Sequence, residues 1–250
     1  MRRFGLIGYP LSHSFSQKYF SEKFRKEGIR DAVYENFPLP DSGSLISLLA
    51  SAPTLEGLNV TIPYKQQVLP FLDFRSEIVE QTGACNCIRI RKGKLYGFNT
   101  DVPGFEQSLE KKLKPWHTRA LVLGTGGASK AVEFVLKKRG IDYRLVSRHP
   151  GQPGIILTYE EVDRELVRSR LLIINTTPLG MFPLLDASPP LPYDAMGKEH
   201  YLFDLIYNPA KTLFLQKGEG QGAAIQNGLE MLTIQAEESW RIWTDSDPIL

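Results

Sequence analysis

The chain has 250 residues, 42% of them hydrophobic and 23% charged, which suits a globular protein with one large core or two modest ones. Thirty basic against 28 acidic residues leave a formal charge of +2, and no basic run interleaved with aromatics stands out, so neither nucleic acid nor an anionic membrane is an expected partner. The apolar stretch after Met1-Arg2-Arg3 is too short for an export leader and nothing has the length of a membrane span, so a cytoplasmic protein is expected.

Taken from the N-terminus, apolar runs alternate with helical spacing. Residues 3–8 read as a strand, 17–27 as a helix with Tyr19, Phe20 and Phe24 on one face, 32–37 as a strand, 44–51 as a helix and 58–62 as a strand. Helical spacing follows over 64–71 and 77–81, and then 84–90 and 95–99 form a hairpin across Arg91-Lys92-Gly93-Lys94. Cys85 and Cys87 alternate on that hairpin and should share one face. They read as small buried residues rather than a disulfide, and no other cysteine is present to complete a zinc site, so no metal is expected.

The pattern resets after Asp101, and the composition shift over 101–115 predicts a domain boundary. Helices are predicted over 105–113 and 129–139, and strands over 119–123, 143–147, 171–175, 202–205 and 223–225. A last helix over 228–243 carries Leu229, Leu232, Ala236, Trp240 and Trp243 at helical spacing, and its aromatic end reads as core packing. The alternation predicts an α/β fold with mostly parallel sheets.

One segment carries a physical signature by itself. Val122-Leu123-Gly124-Thr125-Gly126-Gly127-Ala128-Ser129-Lys130-Ala131 follows a strand and opens a helix. Gly124 permits the tight turn, Gly126 lets backbone approach a pyrophosphate, and small residues from Ala128 onward allow close helix packing. The helix N-terminus then offers free N–H groups to phosphate. The next strand ends at Ser147-Arg148, where an NAD enzyme commonly carries a carboxylate for the ribose. With no carboxylate there, and a guanidinium able to pair with a 2′-phosphate, the residues favour NADP.

Further polar segments stand where strands end. They are Ser12-His13-Ser14-Phe15-Ser16, Asn59-Val60-Thr61-Ile62-Pro63-Tyr64-Lys65, Gly83-Ala84-Cys85-Asn86 and Gly97-Phe98-Asn99-Thr100-Asp101 with Gly104-Phe105. Ser14 and Gln17 also have capping-box spacing. Together with the glycine turn, with Asn175-Thr176-Thr177-Pro178-Leu179-Gly180-Met181 and with Asn227-Gly228-Leu229-Glu230-Met231-Leu232 reaching Gln235, this series resembles the shikimate dehydrogenase family in order from residue 5 to about residue 240.

The resemblance implies two α/β domains flanking a cleft. Residues 1–101 with 228–250 would bind substrate, and 102–227 would be a Rossmann-like NADP-binding domain. It implies reversible NADP-dependent reduction of 3-dehydroshikimate to shikimate, in aromatic amino-acid (chorismate) biosynthesis, by a monomer or homodimer. Lys65 and Asp101 match the family's catalytic pair: a cation beside the reacting oxygen stabilises developing alkoxide and relays a proton. Ser14 and Ser16 match its carboxylate ligands, Asn59, Thr61, Asn86 and Gln235 belong to its substrate motifs, and Tyr207 matches the tyrosine near the carboxylate. Gly124, Thr125, Gly126, Gly127, Ala128, Ser147, Arg148, Thr176, Thr177, Met181 and Gly228 would face the cofactor.

The chain departs from the family pattern at Cys87, where threonine is usual, and at Ser147-Arg148-His149-Pro150, which replaces Asn-Arg-Thr. Gly151-Gln152-Pro153-Gly154 then stands where a second basic residue is typical, leaving Arg148 as the main contact to the 2′-phosphate. The alternatives are a quinate/shikimate dehydrogenase accepting NAD and a catalytically silent NADP-sensing protein.

Overall fold

The computed structural model describes residues 1–11, 14–148 and 156–245. Ser12 and His13 of the first polar motif, and His149 to Gly154 of the altered loop, lie outside the described residues. The chain divides into two units, Met1–Thr100 with Ala236–Leu250, and Asp101–Gln235.

The first unit runs β1 (Arg2–Gly8), α1 (Phe15–Glu27), β2 (Ala32–Pro38), α2 (Ser44–Ser51), β3 (Leu55–Val60), β4 (Phe74–Arg75), α3 (Glu77–Thr82), β5 (Cys87–Arg91) and β6 (Lys94–Phe98). Its sheet has the order β2-β1-β3-β5-β6-β4. β1 pairs in parallel with β2 and β3, whereas β5 runs against both β3 and β6. Alternation along the strands sends side chains to two cores. Ile7, Leu58, Val60 and Ile88 join one cluster, and Phe4, Leu6, Tyr34 and Phe98 join the other with Phe20 and Phe24 of α1.

The end of the chain completes that second core. Trp243 lies within it and Trp240 packs against it, so the aromatic end of the last helix is indeed core. Trp243 stacks on Phe4 at 5.1 Å and donates its indole N–H to the Ile88 carbonyl at 3.0 Å. Gly57 admits it: a Cβ there would stand 2.4 Å from the indole.

The second unit runs α4 (Asp101–Glu110), β7 (Arg119–Leu123), α5 (Gly127–Lys138), β8 (Asp142–Val146), β9 (Ile156–Leu157), α6 (Arg164–Ser169), β10 (Leu172–Asn175), β11 (Tyr201–Asp204), α7 (Leu213–Gly220), β12 (Ala224–Gln226) and α8 (Leu229–Thr244), the unit boundary falling inside α8. All its pairings are parallel, in the order β12-β11-β10-β7-β8-β9. Its central strands are near-continuous apolar runs, as burial on both faces demands. Leu121, Leu123, Ile173 and Leu202 meet Phe214 in one core. Strand order reverses between β7 and β10, which makes their carboxyl ends the topological switch point.

Several sequence expectations are corrected. Residues 64–71 form turns and a short 3-10 segment, Leu69–Phe71, not a helix. Pro70 has no N–H to donate, and the Lys65 carbonyl accepts from Cys85 N at 2.8 Å instead of from its own chain one turn on. Helix α4 begins at Asp101 rather than 105, because Pro103 sits in the first turn, where a missing N–H costs nothing. Cys85 and Cys87 do not share a face: only Cys87 is on β5, and the two thiols enter opposite cores. Both are buried, and neither is in a disulfide.

Candidate active site

In the second unit, predicted cofactor residues gather at the switch point. Gly124 leaves β7 with φ of 107°, a left-handed conformation that L side chains rarely adopt. Its N–H donates to Val146 O of β8 at 2.8 Å, and a Cβ on it would stand 2.6 Å from Thr176 Oγ1. Thr176 is tied back to the same strand end, its N and Oγ1 both donating to Leu123 O at 2.9 and 2.7 Å. The turn therefore needs glycine for the chain's own sake.

Gly126 is different. It caps α5 with extended backbone, φ −81°, and nothing of the chain lies within 4 Å of where its Cβ would be. Its own fold does not require glycine there, whereas a phosphate approaching the bare N–H groups of α5 does. Thr125 and Gly126 are exposed, while Gly127 and Ala128 are half-buried in the first turn of α5. Ser147 follows β8 directly, its N–H donating to Leu157 O at 2.8 Å, and Arg148 beyond it is exposed.

Asn175 braces the other side of the switch point. Its Oδ1 accepts from Thr177 N and Oγ1 at 3.0 and 2.7 Å, and its Nδ2 donates to Asp204 Oδ1 at 3.1 Å. Asp204 also accepts from Thr212 Oγ1 at 2.5 Å and Ile206 N at 3.0 Å. Its carboxyl is fully buried, and that desolvation pushes its pKa up to about 6 despite the three donors. Met181 is partly exposed in the loop after β10, and Gly228 N donates to Ile206 O at 3.0 Å.

Three expected substrate residues also belong to this unit. Asp101 opens α4 and is buried, as is Gln235 on α8, whose Nε2 donates to Leu232 O at 3.0 Å. Gly104 lets the two helices approach, since a Cβ there would meet Met231 O at 2.8 Å and Gln235 Cβ at 3.2 Å. Tyr207 is half-buried beyond β11, and burial raises its phenol pKa.

The first unit gathers the remainder along one sheet edge, where β1, β3 and β6 end and β5 begins. Ser14 caps α1, accepting from Gln17 N at 3.5 Å, so the capping reading of this serine is met. Thr61 continues β3, its N–H donating to Ile7 O at 2.9 Å. Lys65 is half-buried, its backbone fastened to Cys85 immediately before Asn86.

Behind that edge lies a buried hydrogen-bond chain. Ser16 adjoins the Tyr34 phenol, whose pKa burial drives well above the ordinary value. Tyr34 donates to Asn59 Oδ1 at 2.9 Å, and Asn59 Nδ2 donates to Ser239 Oγ at 2.9 Å and to Asn86 O at 3.4 Å. Ser239 meets Thr100 Oγ1 at 3.2 Å, and Thr100 donates to Asn86 Oδ1 through N and Oγ1 at 2.7 and 3.2 Å. Sequence reasoning missed Tyr34, Thr100 and Ser239 as members of a set. One sign was present: Ser239 is a hydroxyl on the apolar stripe 236, 239, 243 of a helix that otherwise buries Ala236 and Trp243.

A parallel sheet wound in this order, with a glycine turn opening a helix at its switch point, defines the second unit as a Rossmann-like dinucleotide-binding unit. The family model described as "Shikimate dehydrogenase substrate binding domain" matches residues 6–88. The shikimate dehydrogenase (NADP(+)) of Clostridium beijerinckii is 39% identical over 98% of this chain and 93% of its own length. Among solved structures, shikimate dehydrogenase from Aquifex aeolicus superposes with a TM-score of 0.87 at 31% identity, covering 99% of this chain and 94% of that one. Shikimate 5-dehydrogenase from Thermus thermophilus, solved with NADP(H) and shikimate, gives 0.86 at 33% identity, covering 98% and 94%. The chain belongs to the shikimate dehydrogenase family. Among the described residues, no helix is long and apolar enough to cross a membrane.

Proposed function

We propose that this chain is an NADP-dependent shikimate dehydrogenase that interconverts 3-dehydroshikimate and shikimate, supplying chorismate biosynthesis. The observation that carries this reading is similarity over 98% of the chain to an enzyme solved with both NADP(H) and shikimate. Two buried thiols outside any disulfide suit a reducing compartment, and we place the enzyme in the cytoplasm, as a monomer or homodimer.

When bound, NADP(H) supplies or accepts the hydride at substrate C3. Gly124 through Ala128 and the N-terminus of α5 would hold its pyrophosphate, and Ser147 and Arg148 its 2′-phosphate end. Thr176, Thr177, Met181 and Gly228 would line the switch-point side. The first unit would bind substrate, with Asp101, Tyr207 and Gln235 contributed from the second. Ser14 and Ser16 hydroxyls donate to the ring carboxylate beside Tyr207, while Thr61, Asn86 and Gln235 read ring hydroxyls. Asn59, committed to Tyr34, Ser239 and Asn86, acts from beneath.

Lys65 and Asp101 carry the proton work. During reduction the Lys65 ammonium stabilises negative charge developing on the C3 oxygen and delivers its proton there. During oxidation the steps reverse: Asp101 orients the lysine and accepts a hydrogen bond from the same hydroxyl, and the proton returns to the Lys65 amine as hydride leaves C3. The test is a steady-state assay of NADP+ reduction with shikimate, followed by nicotinamide absorbance. Wild type should turn over, and Lys65→Ala should lower kcat about 10²–10⁴-fold with little change in shikimate affinity. A folded wild type inert toward shikimate with both NADP+ and NAD+ would overturn the proposal.

A further inference from the structure

Arg148 has a neighbour that the cofactor motifs do not include. β8 and β9 run parallel, with Leu145 opposite Ile156 and Val146 opposite Leu157. Ser147 N then donates to Leu157 O at 2.8 Å, so the register continues past the last paired residues. Counted along it, Ser147 stands beside Thr158 and Arg148 beside Tyr159. Both pairs lie at the carboxyl end of the sheet, the end at which a fold of this kind binds nucleotide.

Tyr159 is anchored there. It opens a 3-10 turn, Tyr159–Glu161, its side chain packs against the core that holds Val162 and Val167, and its carbonyl accepts from Val162 N at 3.2 Å. The two carboxylates of the turn are engaged with the turn's own donors. Glu161 accepts from Thr158 N at 2.6 Å, and Glu160 accepts from its own N–H and from the Thr158 hydroxyl. The phenol is different: its hydroxyl has no hydrogen-bond partner among the described residues, and its oxygen is not sealed from solvent. Burial of the ring pushes its pKa up to about 12, with the Arg148 cation near enough to pull against that rise. At neutral pH the group is therefore an O–H donor, held on a rigid ring beside an exposed guanidinium.

That pairing matches one ligand chemistry. A phosphate monoester presents three terminal oxygens, and the forked geometry of a guanidinium takes two of them. We propose that Tyr159 is a second specificity residue for the nucleotide: its hydroxyl donates to the 2′-phosphate of NADP(H) beside Arg148. This rests on the reading that places that phosphate at Ser147 and Arg148. NAD+ carries a neutral hydroxyl at the same position, so loss of the contact falls on NADP+.

Tyr159→Phe keeps the packed ring and removes the donor. The full-length enzyme, Tyr159→Phe and Arg148→Ala are titrated by calorimetry with NADP+ and with NAD+, without shikimate, and their thermal midpoints are measured alongside. Tyr159→Phe should weaken NADP+ binding about tenfold, the scale of one hydrogen bond to a charged group, and leave NAD+ affinity and the midpoint unchanged. If Arg148→Ala weakens NADP+ selectively while Tyr159→Phe binds it as wild type does, or loses both nucleotides alike, the role of Tyr159 is overturned and the phosphate site stands. If Arg148→Ala also leaves NADP+ affinity unchanged, the phosphate does not sit at this strand end, and the reading beneath the inference falls with it.

Discussion

At the scale of single residues, the two most informative side chains sit in the nucleotide unit. Arg148 is exposed at the end of β8, beside a serine where a carboxylate would favour NAD. A charge-assisted contact to a 2′-phosphate is worth about 1.5–3 kcal/mol, roughly tenfold to a hundredfold in affinity. Arg148→Ala should raise KM for NADP+ by that factor and leave KM for NAD+ nearly unchanged; equal weakening of both would show that the arginine does not read the phosphate. Asp204 makes a separate prediction. Its folded pKa of about 6 lies above the ordinary carboxylate range, so the native state keeps a proton that the unfolded chain has released. Stability therefore falls as pH rises from about 4 to about 6, by on the order of 2–3 kcal/mol, and stays reduced above that window. Asp204→Asn cannot ionise. Urea unfolding of wild type and variant across this range should give a stability difference that drifts against wild type with rising pH, and parallel curves would contradict the assignment.

At the scale of elements, the β7-to-α5 turn separates what glycine does for the fold from what it does for the cofactor. Gly124→Ala forces an L side chain into φ of 107° and against Thr176, and it should lower the thermal midpoint. Gly126→Ala meets open space in extended backbone and should leave the midpoint within a degree or so; if Gly126 faces the pyrophosphate as proposed, the added methyl group should raise KM for NADP+ at least about tenfold. A Gly126→Ala enzyme with normal cofactor kinetics would remove this turn from the binding site. The same turn explains why so much was legible in the sequence. Glycine spacing, the apolar run 119–123 and the strand-end polar motifs report local backbone needs, and these survive reading one segment at a time. Failures occur where a partner distant in sequence decides. Residues 64–71 have helical spacing, but Cys85 takes the Lys65 carbonyl. The Tyr34-to-Asn86 relay draws on five segments, and its middle member stands over 130 residues from its neighbour Thr100. Helix α7 carries two glycines and shows little helical propensity, yet Thr212 caps it by accepting from Leu215 N and Phe214 buries it.

At the scale of the whole molecule, the first unit is discontinuous: residues 1–100 need the second half of α8 to close their aromatic core. A chain stopped after Gln235 loses Trp240, Trp243 and Ser239 together. It should keep NADPH binding by the second unit, measured by nucleotide fluorescence, and lose shikimate binding and the cooperative unfolding of the first. Loss of both activities in equal measure would mean that the units do not fold separately. The same discontinuity sets an order of events on the ribosome. The first hundred residues emerge early but wait for the tryptophans of α8, while the whole nucleotide unit is synthesised, on the order of ten seconds at ordinary elongation rates. Through that interval Phe4, Phe20 and Phe24 lack the tryptophan cover they have in the finished fold. A message truncated just after Gln235 should yield a product that holds nucleotide and cannot turn over shikimate.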